Sequence, residues 1–514
     1  MPPMSHNSAA AYLRSRAGRV CVALQGKSTE EILAHAEQAL AESTFLEFRL
    51  DSVDRPASAV SAIGRFLGKH RDVAAIATCR RQAYGGNFKG SLAEELAILG
   101  DAAEAGFTLI DLEIESAEEA KPTQLDALRD SGAAMMISFH DFEKEIDPEA
   151  VFQRIQRFEP EFIKIVSTAR TLAHSVRLLH WITERSGEAQ IVGIAMGEAG
   201  VISRVLSLRA GSAFTFASGP GAAPTAAGQM TARTLRELYR IDELDQATRI
   251  YGVAGNPVAH SLSPLMQNTA FRRERINAVY LPLKTETVED LLTVARELPL
   301  NGLSITMPLK QAVLPHLANM DAFTAKMGAC NTIRMGADGK LYGFNTDVAG
   351  VIRPLEKRMQ LRNTRVLVLG AGGAARAAVY GLAEKGCAVS IWSRNEAKAK
   401  ELAASAKAQQ VSTATVASSI FDVMINATPC GMHGNAHELP LEPNGWKAGL
   451  VFDLVYNPLE TPLLKLARER RIPTIQGVEM FVQQGARQFE IWTGKPAPES
   501  DMLRVVLFSL NKAQ

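Results

Sequence analysis

Eight short runs of apolar and β-branched residues recur at near-regular spacing through the first half of the chain, and they limit its fold more than any other feature. They are Val20–Leu24, Phe45–Leu50, Val73–Thr78, Leu109–Ile114, Ala134–Phe139, Phe162–Val166, Ile191–Ala195 and Ala213–Phe216. Amphipathic stretches rich in Ala, Leu, Glu and Arg separate them, such as Thr29–Ala41 and Ser91–Ala105. Unbroken apolar runs suit strands buried on both faces, and strands alternating with helices pair in parallel. Eight βα units in about 225 residues predict a (β/α)8 barrel of the TIM type, which places chemistry at the C-terminal ends of its strands.

At 514 residues the whole chain exceeds one core, so two to four domains are expected. A Gly/Pro/Ala stretch, Ser218–Gly228, follows the eighth run, and Thr231–Leu238 reads as a closing helix. A new strand at Arg249–Ala254 opens a second α/β region, and the pattern resets near Arg365. The predicted division is a frayed tail at 1–17, a barrel at 18–240 and a linker at 241–248. An α/β domain at 249–347, completed by helices at 478–510, then encloses a Rossmann domain at 348–477.

The 56 basic and 55 acidic residues nearly cancel. That balance argues against nucleic acid or an anionic membrane as partner, so anionic ligands must be held by local pockets. Five scattered cysteines, none in a CxxC pair, suit thiols in a reducing compartment, and no metal is expected. No run approaches the ~18 apolar residues of a membrane span. Arg14, Arg16 and Arg19 in an acid-poor leader faintly suggest a transit peptide, but the leader is short, and a cytoplasmic protein is expected.

Polar residues cluster at the predicted strand ends. Glu47 and Arg49 lie two apart and face the same way, and Asp111 and Glu113 repeat this. Arg80 ends the third strand, Ser138-Phe139-His140-Asp141 ends the fifth, Lys164 lies in the sixth, and Arg204 follows the seventh. Inward lysine and carboxylates are costly unless paired or functional, so the collection points to an active site.

In the second half, Val366–Leu369 runs into Gly370-Ala371-Gly372-Gly373-Ala374-Ala375-Arg376. Glycines allow a tight turn and close backbone approach to a pyrophosphate, which a helix N-terminus favours. The next strand, Ala388–Trp392, ends in Ser393-Arg394-Asn395, without the acid that would hold a ribose 2′-hydroxyl. Serine plus arginine suit a 2′-phosphate, so NADP is predicted over NAD. Ser261 and Ser263, two apart, could jointly hold a carboxylate or form a turn with a helix cap. The segments Ile305–Lys310, Gly328–Thr332 and Gly343–Asp347 read as loops carrying one or two polar groups each.

Taken together, residues 18–238 resemble type I 3-dehydroquinate dehydratase. The matching pieces are Leu46–Arg49, Thr78–Arg80, Ile110–Glu113, Ser138–Phe142, Ile163–Ile165, Met196-Gly197 with Ser203-Arg204, and Thr225–Gln229. The resemblance implies that Lys164 forms an imine with the substrate ketone and that His140 moves the proton. It leaves open whether Glu113 or Asp111 holds the histidine. Arg204 would clamp the substrate carboxylate, and Glu47, Arg49, Arg80, Thr225 and Gln229 would bind hydroxyls and order the pocket. Tyr84 stands where the family usually has a glutamate, and Thr225 replaces the usual serine.

Residues 249–510 resemble shikimate dehydrogenase, with further agreement at Asn426–Met432, Asp453–Pro458, Thr461–Leu464 and Gly477–Gln484. This implies a catalytic pair, Lys310 and Asp347. Ser261, Ser263 and Tyr456 would bind carboxylate, Asn331 and Gln484 ring hydroxyls, and Thr306 would line the pocket. Gly370, Ala371, Gly372, Gly373, Ala374, Ser393, Arg394 and Gly477 would hold NADP. Gln267 replaces a frequent histidine and Ser304 a common asparagine. The expectation is a bifunctional shikimate-pathway enzyme, monomer or homodimer, acting on small molecules. Two alternatives remain open at this point: a quinate dehydrogenase in the second half, or a barrel that only senses metabolites.

Overall fold

The computed structural model describes residues 11, 13, 18–220, 226–432 and 434–512. It forms two compact units. One runs to Thr248 and also takes Pro282–Thr285 and Glu289–Leu298; the other holds the rest.

The first unit is an eight-stranded parallel barrel: β1 Val20–Leu24, β2 Phe45–Arg49, β3 Ala74–Thr78, β4 Leu109–Glu113, β5 Ala134–His140, β6 Phe162–Thr168, β7 Gln190–Met196 and β8 Thr215–Ser218. Each strand pairs with the next from β1 to β7, and β8 returns to β1. No ladder joins β7 to β8 among the described residues. At that seam the Ile191 carbonyl accepts from Ala213 N–H at 2.7 Å and from Ser212 Oγ at 3.0 Å. Closure is thus less complete than eight equal units predict, because β8 is only four residues long. Phe162 and Val166 pack in the barrel interior with Phe45, Ile76 and Met136. The two-residue pleat period therefore turns Lys164 into the same space.

The flanking helices follow their sequence signals. Ser91 accepts from Glu94 N–H at 3.3 Å while the Glu94 carboxylate accepts from Ser91 N–H at 2.7 Å, a capping box that starts the helix Leu92–Glu104. That helix buries Leu96, Leu99 and Ala103 at three- and four-residue spacing. The expected helix Thr231–Leu238 is reduced to a π-helical turn over Thr234–Leu238. Leu13, within the predicted tail, is buried in the barrel's apolar cluster, whereas residues 1–10, 12 and 14–17 lie outside the described residues.

The second unit contains two sheets. The first is mixed, in the order β10-β9-β11-β13-β14-β12, from β9 Arg249–Gly255, β10 Ala278–Lys284, β11 Leu300–Ile305, β12 Asn319–Met320, β13 Thr332–Met335 and β14 Leu341–Phe344. The helix Gly477–Thr493 lays Val478, Val482, Ala486 and Phe489 onto Tyr251, Val253 and Phe271, so chain from the C-terminal end completes this core. The second sheet is parallel, in the order β17-β16-β15-β18-β19-β20, from β15 Arg365–Leu369, β16 Ala388–Trp392, β17 Gln409–Gln410, β18 Phe421–Asn426, β19 Ala448–Asp453 and β20 Thr474–Ile475. Val366 and Val368 join one apolar cluster and Leu367 and Leu369 another, so both faces of β15 are covered. Strand order reverses at β15 and β18, the point where doubly wound sheets open a binding crevice.

Candidate active sites

A cavity of about 240 Å³ opens at the C-terminal ends of the barrel strands. It is lined by Glu47, Arg49, Arg80, His140, Lys164, Arg204 and Gln229 together with Phe216. Lys164 is 5% exposed. Its Nζ lies 3.0 Å from Asp111 Oδ2, 3.6 Å from Glu47 Oε1 and 4.2 Å from the centre of the Phe216 ring. Burial would raise the Asp111 pKa, but the Lys164 and Arg80 charges outweigh it and hold the group at about 2.

His140 Nδ1 sits 3.0 Å from both Glu113 carboxylate oxygens, and its Nε2 is 2.9 Å from an Arg80 Nη. A guanidinium can only donate, so Nε2 is the accepting nitrogen and Nδ1 carries the hydrogen. Glu113, not Asp111, thus holds the imidazole, which settles the choice the sequence left open. Burial first, then the Arg80 and Lys164 charges, push the His140 pKa well below 6.5, and burial lifts Glu113 to about 7.

Arg49 is gripped by Asp51 through two bonds of 2.9 and 2.8 Å, and Asp51 also accepts from Asn87 N–H at 3.1 Å. Arg204 is different. It is 1% exposed, donates to the Ala227 carbonyl at 3.2 Å, and its Nε has no partner among the described residues. Burial lowers its pKa to about 10. A buried cation without a carboxylate is a standing demand for an anion. Thr225 lies outside the described residues. Tyr84 has the Arg81 guanidinium 5.0 Å above its ring.

The second unit holds a cavity of about 540 Å³, lined among others by Ser261, Ser263, Thr306, Lys310, Asn331, Asp347, Tyr456 and Gln484. Every residue the sequence assigned to the shikimate-binding and catalytic sets therefore meets in one place. Lys310 Nζ is 3.0 Å from Asp347 Oδ2, and Asn331 Nδ2 donates to Asp347 Oδ1 at 2.8 Å. Asp347 opens the helix Asp347–Glu356, where the helix dipole favours a carboxylate. Ser263 N–H donates to Ser261 Oγ at 3.2 Å, and Tyr456 stacks on Phe481 at 4.9 Å.

A groove of about 520 Å³ beside the parallel sheet is lined by Gly370, Ala371, Gly372, Ser393, Arg394 and Thr428, among others. Gly370 has φ +114°, and a Cβ there would meet the Ala427 carbonyl at 3.0 Å. Added Cβ atoms at Gly372 and Gly373 meet nothing within 4 Å, and no side chain caps the helix Gly373–Glu384. Its first N–H groups are thus free to face an anion, so these residues fit a dinucleotide pyrophosphate. Arg394 is exposed, and Ser393 Oγ accepts from Asn395 N–H at 3.2 Å. Ala374 and Gly477 line the neighbouring larger cavity, and a Cβ on Gly477 would come within 2.3 Å of the Val455 carbonyl.

Sequence reasoning missed three contributors. Gln488 lines the larger cavity one helical turn beyond Gln484, a spacing that could have identified it. Asp51 continues the Glu47–Arg49 alternation. Phe216 gave no signal, since an aromatic residue in a strand is ordinarily core.

Comparison with known proteins agrees with this geometry. A family model described as Type I 3-dehydroquinase matches residues 20–246. Models described as Shikimate dehydrogenase substrate binding domain, Shikimate / quinate 5-dehydrogenase and Shikimate 5'-dehydrogenase C-terminal domain match 253–333, 354–431 and 477–507. A chloroplastic bifunctional 3-dehydroquinate dehydratase/shikimate dehydrogenase of Arabidopsis thaliana is 34% identical over 82% of this chain and 73% of that protein. A shikimate dehydrogenase (NADP(+)) of Methanocella arvoryzae is 42% identical over 50% of this chain and 97% of its own length. Among solved structures, the Thermus thermophilus shikimate 5-dehydrogenase in complex with NADP(H) and shikimate is 33% identical, with a TM-score of 0.48, covering 51% of this chain and all of that one.

Proposed function

The chain belongs to the bifunctional 3-dehydroquinate dehydratase/shikimate dehydrogenase family, and from that premise we propose how its residues divide the work. It is a shikimate-pathway enzyme with a lyase half that dehydrates 3-dehydroquinate and a half that reduces 3-dehydroshikimate with NADPH.

In the lyase half, the Lys164 amine, once its ammonium proton has been passed on, adds to the substrate ketone, and loss of water gives an imine. Protonated, that imine draws electrons from the neighbouring carbon. His140 Nε2 takes a proton from that carbon, the C–H electron pair moves toward the iminium, and the enamine so formed expels the hydroxyl. His140 returns the proton to the departing oxygen as water, and hydrolysis frees Lys164. Glu113 fixes the imidazole tautomer throughout. Arg204 takes the substrate carboxylate, ending its own isolation. Glu47, Arg49, Arg80 and Gln229 order the ring hydroxyls, a role that Thr225 shares. The observation that carries this reading is the shared mouth of about 240 Å³ in which the Lys164 amine, the neutral His140 ring and Arg204, without a carboxylate among the described residues, converge.

In the reductase half, Gly370, Ala371, Gly372, Gly373 and Ala374 would receive the pyrophosphate and Ser393 and Arg394 the 2′-phosphate, and Gly477, where a Cβ would meet the Val455 carbonyl, would border the cofactor. NADPH supplies a hydride. Lys310 gives its proton to the carbonyl oxygen as that becomes a hydroxyl, and Asp347 holds the ammonium. Ser261, Ser263 and Tyr456 take the carboxylate, Asn331 and Gln484 the hydroxyls, with Thr306 beside them. No described helix is long and apolar enough to cross a membrane. Free cysteines support a reducing compartment, which we take to be the cytoplasm, with a monomer or homodimer as the working form.

The test is purified protein with 3-dehydroquinate and NADPH. Shikimate should form with one NADPH consumed per substrate. NADPH loss only after 3-dehydroshikimate is added would remove the lyase assignment, and none with either substrate would remove the reductase assignment.

A further inference from the structure

Behind the Lys310–Asp347 pair lies a run of buried polar side chains whose bonds all point one way. Tyr280 OH donates to Ser304 Oγ at 2.6 Å, and Ser304 donates to Gln488 Oε1 at 2.8 Å. Gln488 Nε2 donates to Thr332 Oγ1 at 3.0 Å, and Thr332 donates to Asn331 Oδ1 at 2.7 Å. Asn331 Nδ2 then donates to Asp347 Oδ1 at 2.8 Å, leaving Oδ2 for Lys310 at 3.0 Å.

The direction is not arbitrary. An amide side chain can be turned over, but backbone groups fix both amides here. Gln488 Nε2 also donates to the Asn331 carbonyl at 3.3 Å, so its oxygen must face Ser304. Asn331 Oδ1 accepts from Thr346 N–H at 2.9 Å, so its nitrogen must face Asp347. Tyr280, Ser304, Gln488, Thr332 and Asn331 are all buried, so bulk water competes little for these bonds. Bonds in series in a low-dielectric interior polarise one another.

We infer that this relay sets the aim of the Asp347 carboxylate, and through it the Lys310 ammonium, with Thr332 as its central positioning residue. The inference rests on the reductase reading given above. Thr332 alone converts a donated bond from Gln488 into a donated bond to Asn331. Without its hydroxyl, Gln488 Nε2 keeps only the Asn331 carbonyl and Asn331 Oδ1 keeps only Thr346, so the aim of Asn331 at Asp347 loses one of its buried supports. Ser304 passes the Tyr280 bond onward in the same sense.

The experiment compares Thr332→Val, of near-identical shape, with Thr332→Ser in the full chain, reading kcat and KM for 3-dehydroshikimate and NADPH. The relay predicts that Thr332→Val lowers kcat about tenfold while the NADPH KM stays within about twofold. Thr332→Ser should return kcat to within about twofold of the parent. An unchanged kcat in Thr332→Val, or a serine variant as impaired as the valine, overturns the relay. If Thr332→Val does not fold, Tyr280→Phe carries the test: it should lower kcat by roughly threefold, and an unchanged kcat overturns the relay. An unsubstituted protein that fails to reduce 3-dehydroshikimate overturns the reductase reading instead.

Discussion

Arg204 offers a test in which stability and function move in opposite directions. Its guanidinium is buried with one carbonyl contact and no carboxylate among the described residues, and burial lowers its pKa to about 10. With a tenfold change in proton affinity worth about 1.4 kcal/mol, the empty pocket is destabilised by ~3 kcal/mol. Arg204→Met keeps much of the side-chain volume and removes the charge. Losing the bond to the Ala227 carbonyl offsets part of the gain, so the barrel should become more stable by ~1–3 kcal/mol. That corresponds to a Tm increase of roughly 2–10 °C for a domain of this size. The sign and window follow from the cation. A lowered folded pKa penalises the folded state at every pH below about 10, relieved only as pH rises from there toward the ordinary guanidinium value. The gain should therefore be equal at about pH 6 and about pH 8. Calorimetry of the full chain reads it from the transition that 3-dehydroquinate shifts in the unsubstituted protein. The KM for 3-dehydroquinate should rise at least ~100-fold as the carboxylate loses its partner. A variant less stable than its parent, or one that still binds substrate normally, would refute the reasoning.

Three further outcomes follow from the same geometry. Lys164→Ala should abolish dehydration yet leave NADPH oxidation with 3-dehydroshikimate intact; loss of both activities would contradict separate sites. Arg394→Ala should raise the KM for NADP about tenfold and leave NAD nearly unchanged, and equal effects would remove the 2′-phosphate argument. After burial, the Arg80 charge is the next cause depressing the His140 pKa. Arg80→Gln should therefore move the acid limb of kcat/KM for dehydration to higher pH, and an unmoved limb would exclude His140 as the base.

The alternation of apolar runs with amphipathic stretches made the barrel legible, because burial on both strand faces leaves a one-dimensional trace. The same holds for Val366–Leu369 before its glycine turn, since only a few residue types tolerate a backbone at φ +114°. Lys310 and Asp347, 37 residues apart, became a pair only through the family resemblance. What the sequence did not carry was pairing between residues on different strands. Nothing in the spacing of Asp111 and Glu113 says that the first meets Lys164 and the second His140. That depends on register, which sets Glu113 beside Ser138 and Ser138 beside Lys164. The open seam between β7 and β8 was equally hidden, since the eighth apolar run, Ala213–Phe216, resembles the others while the strand itself is Thr215–Ser218.

The central claim is that the Lys164 amine becomes covalently joined to the substrate. Borohydride added to the protein with 3-dehydroquinate, followed by peptide mass analysis, reads this directly. A stable adduct on the peptide bearing Lys164, absent from Lys164→Ala, is the predicted result. Full dehydratase activity with no adduct, or an adduct on a different lysine, would contradict it.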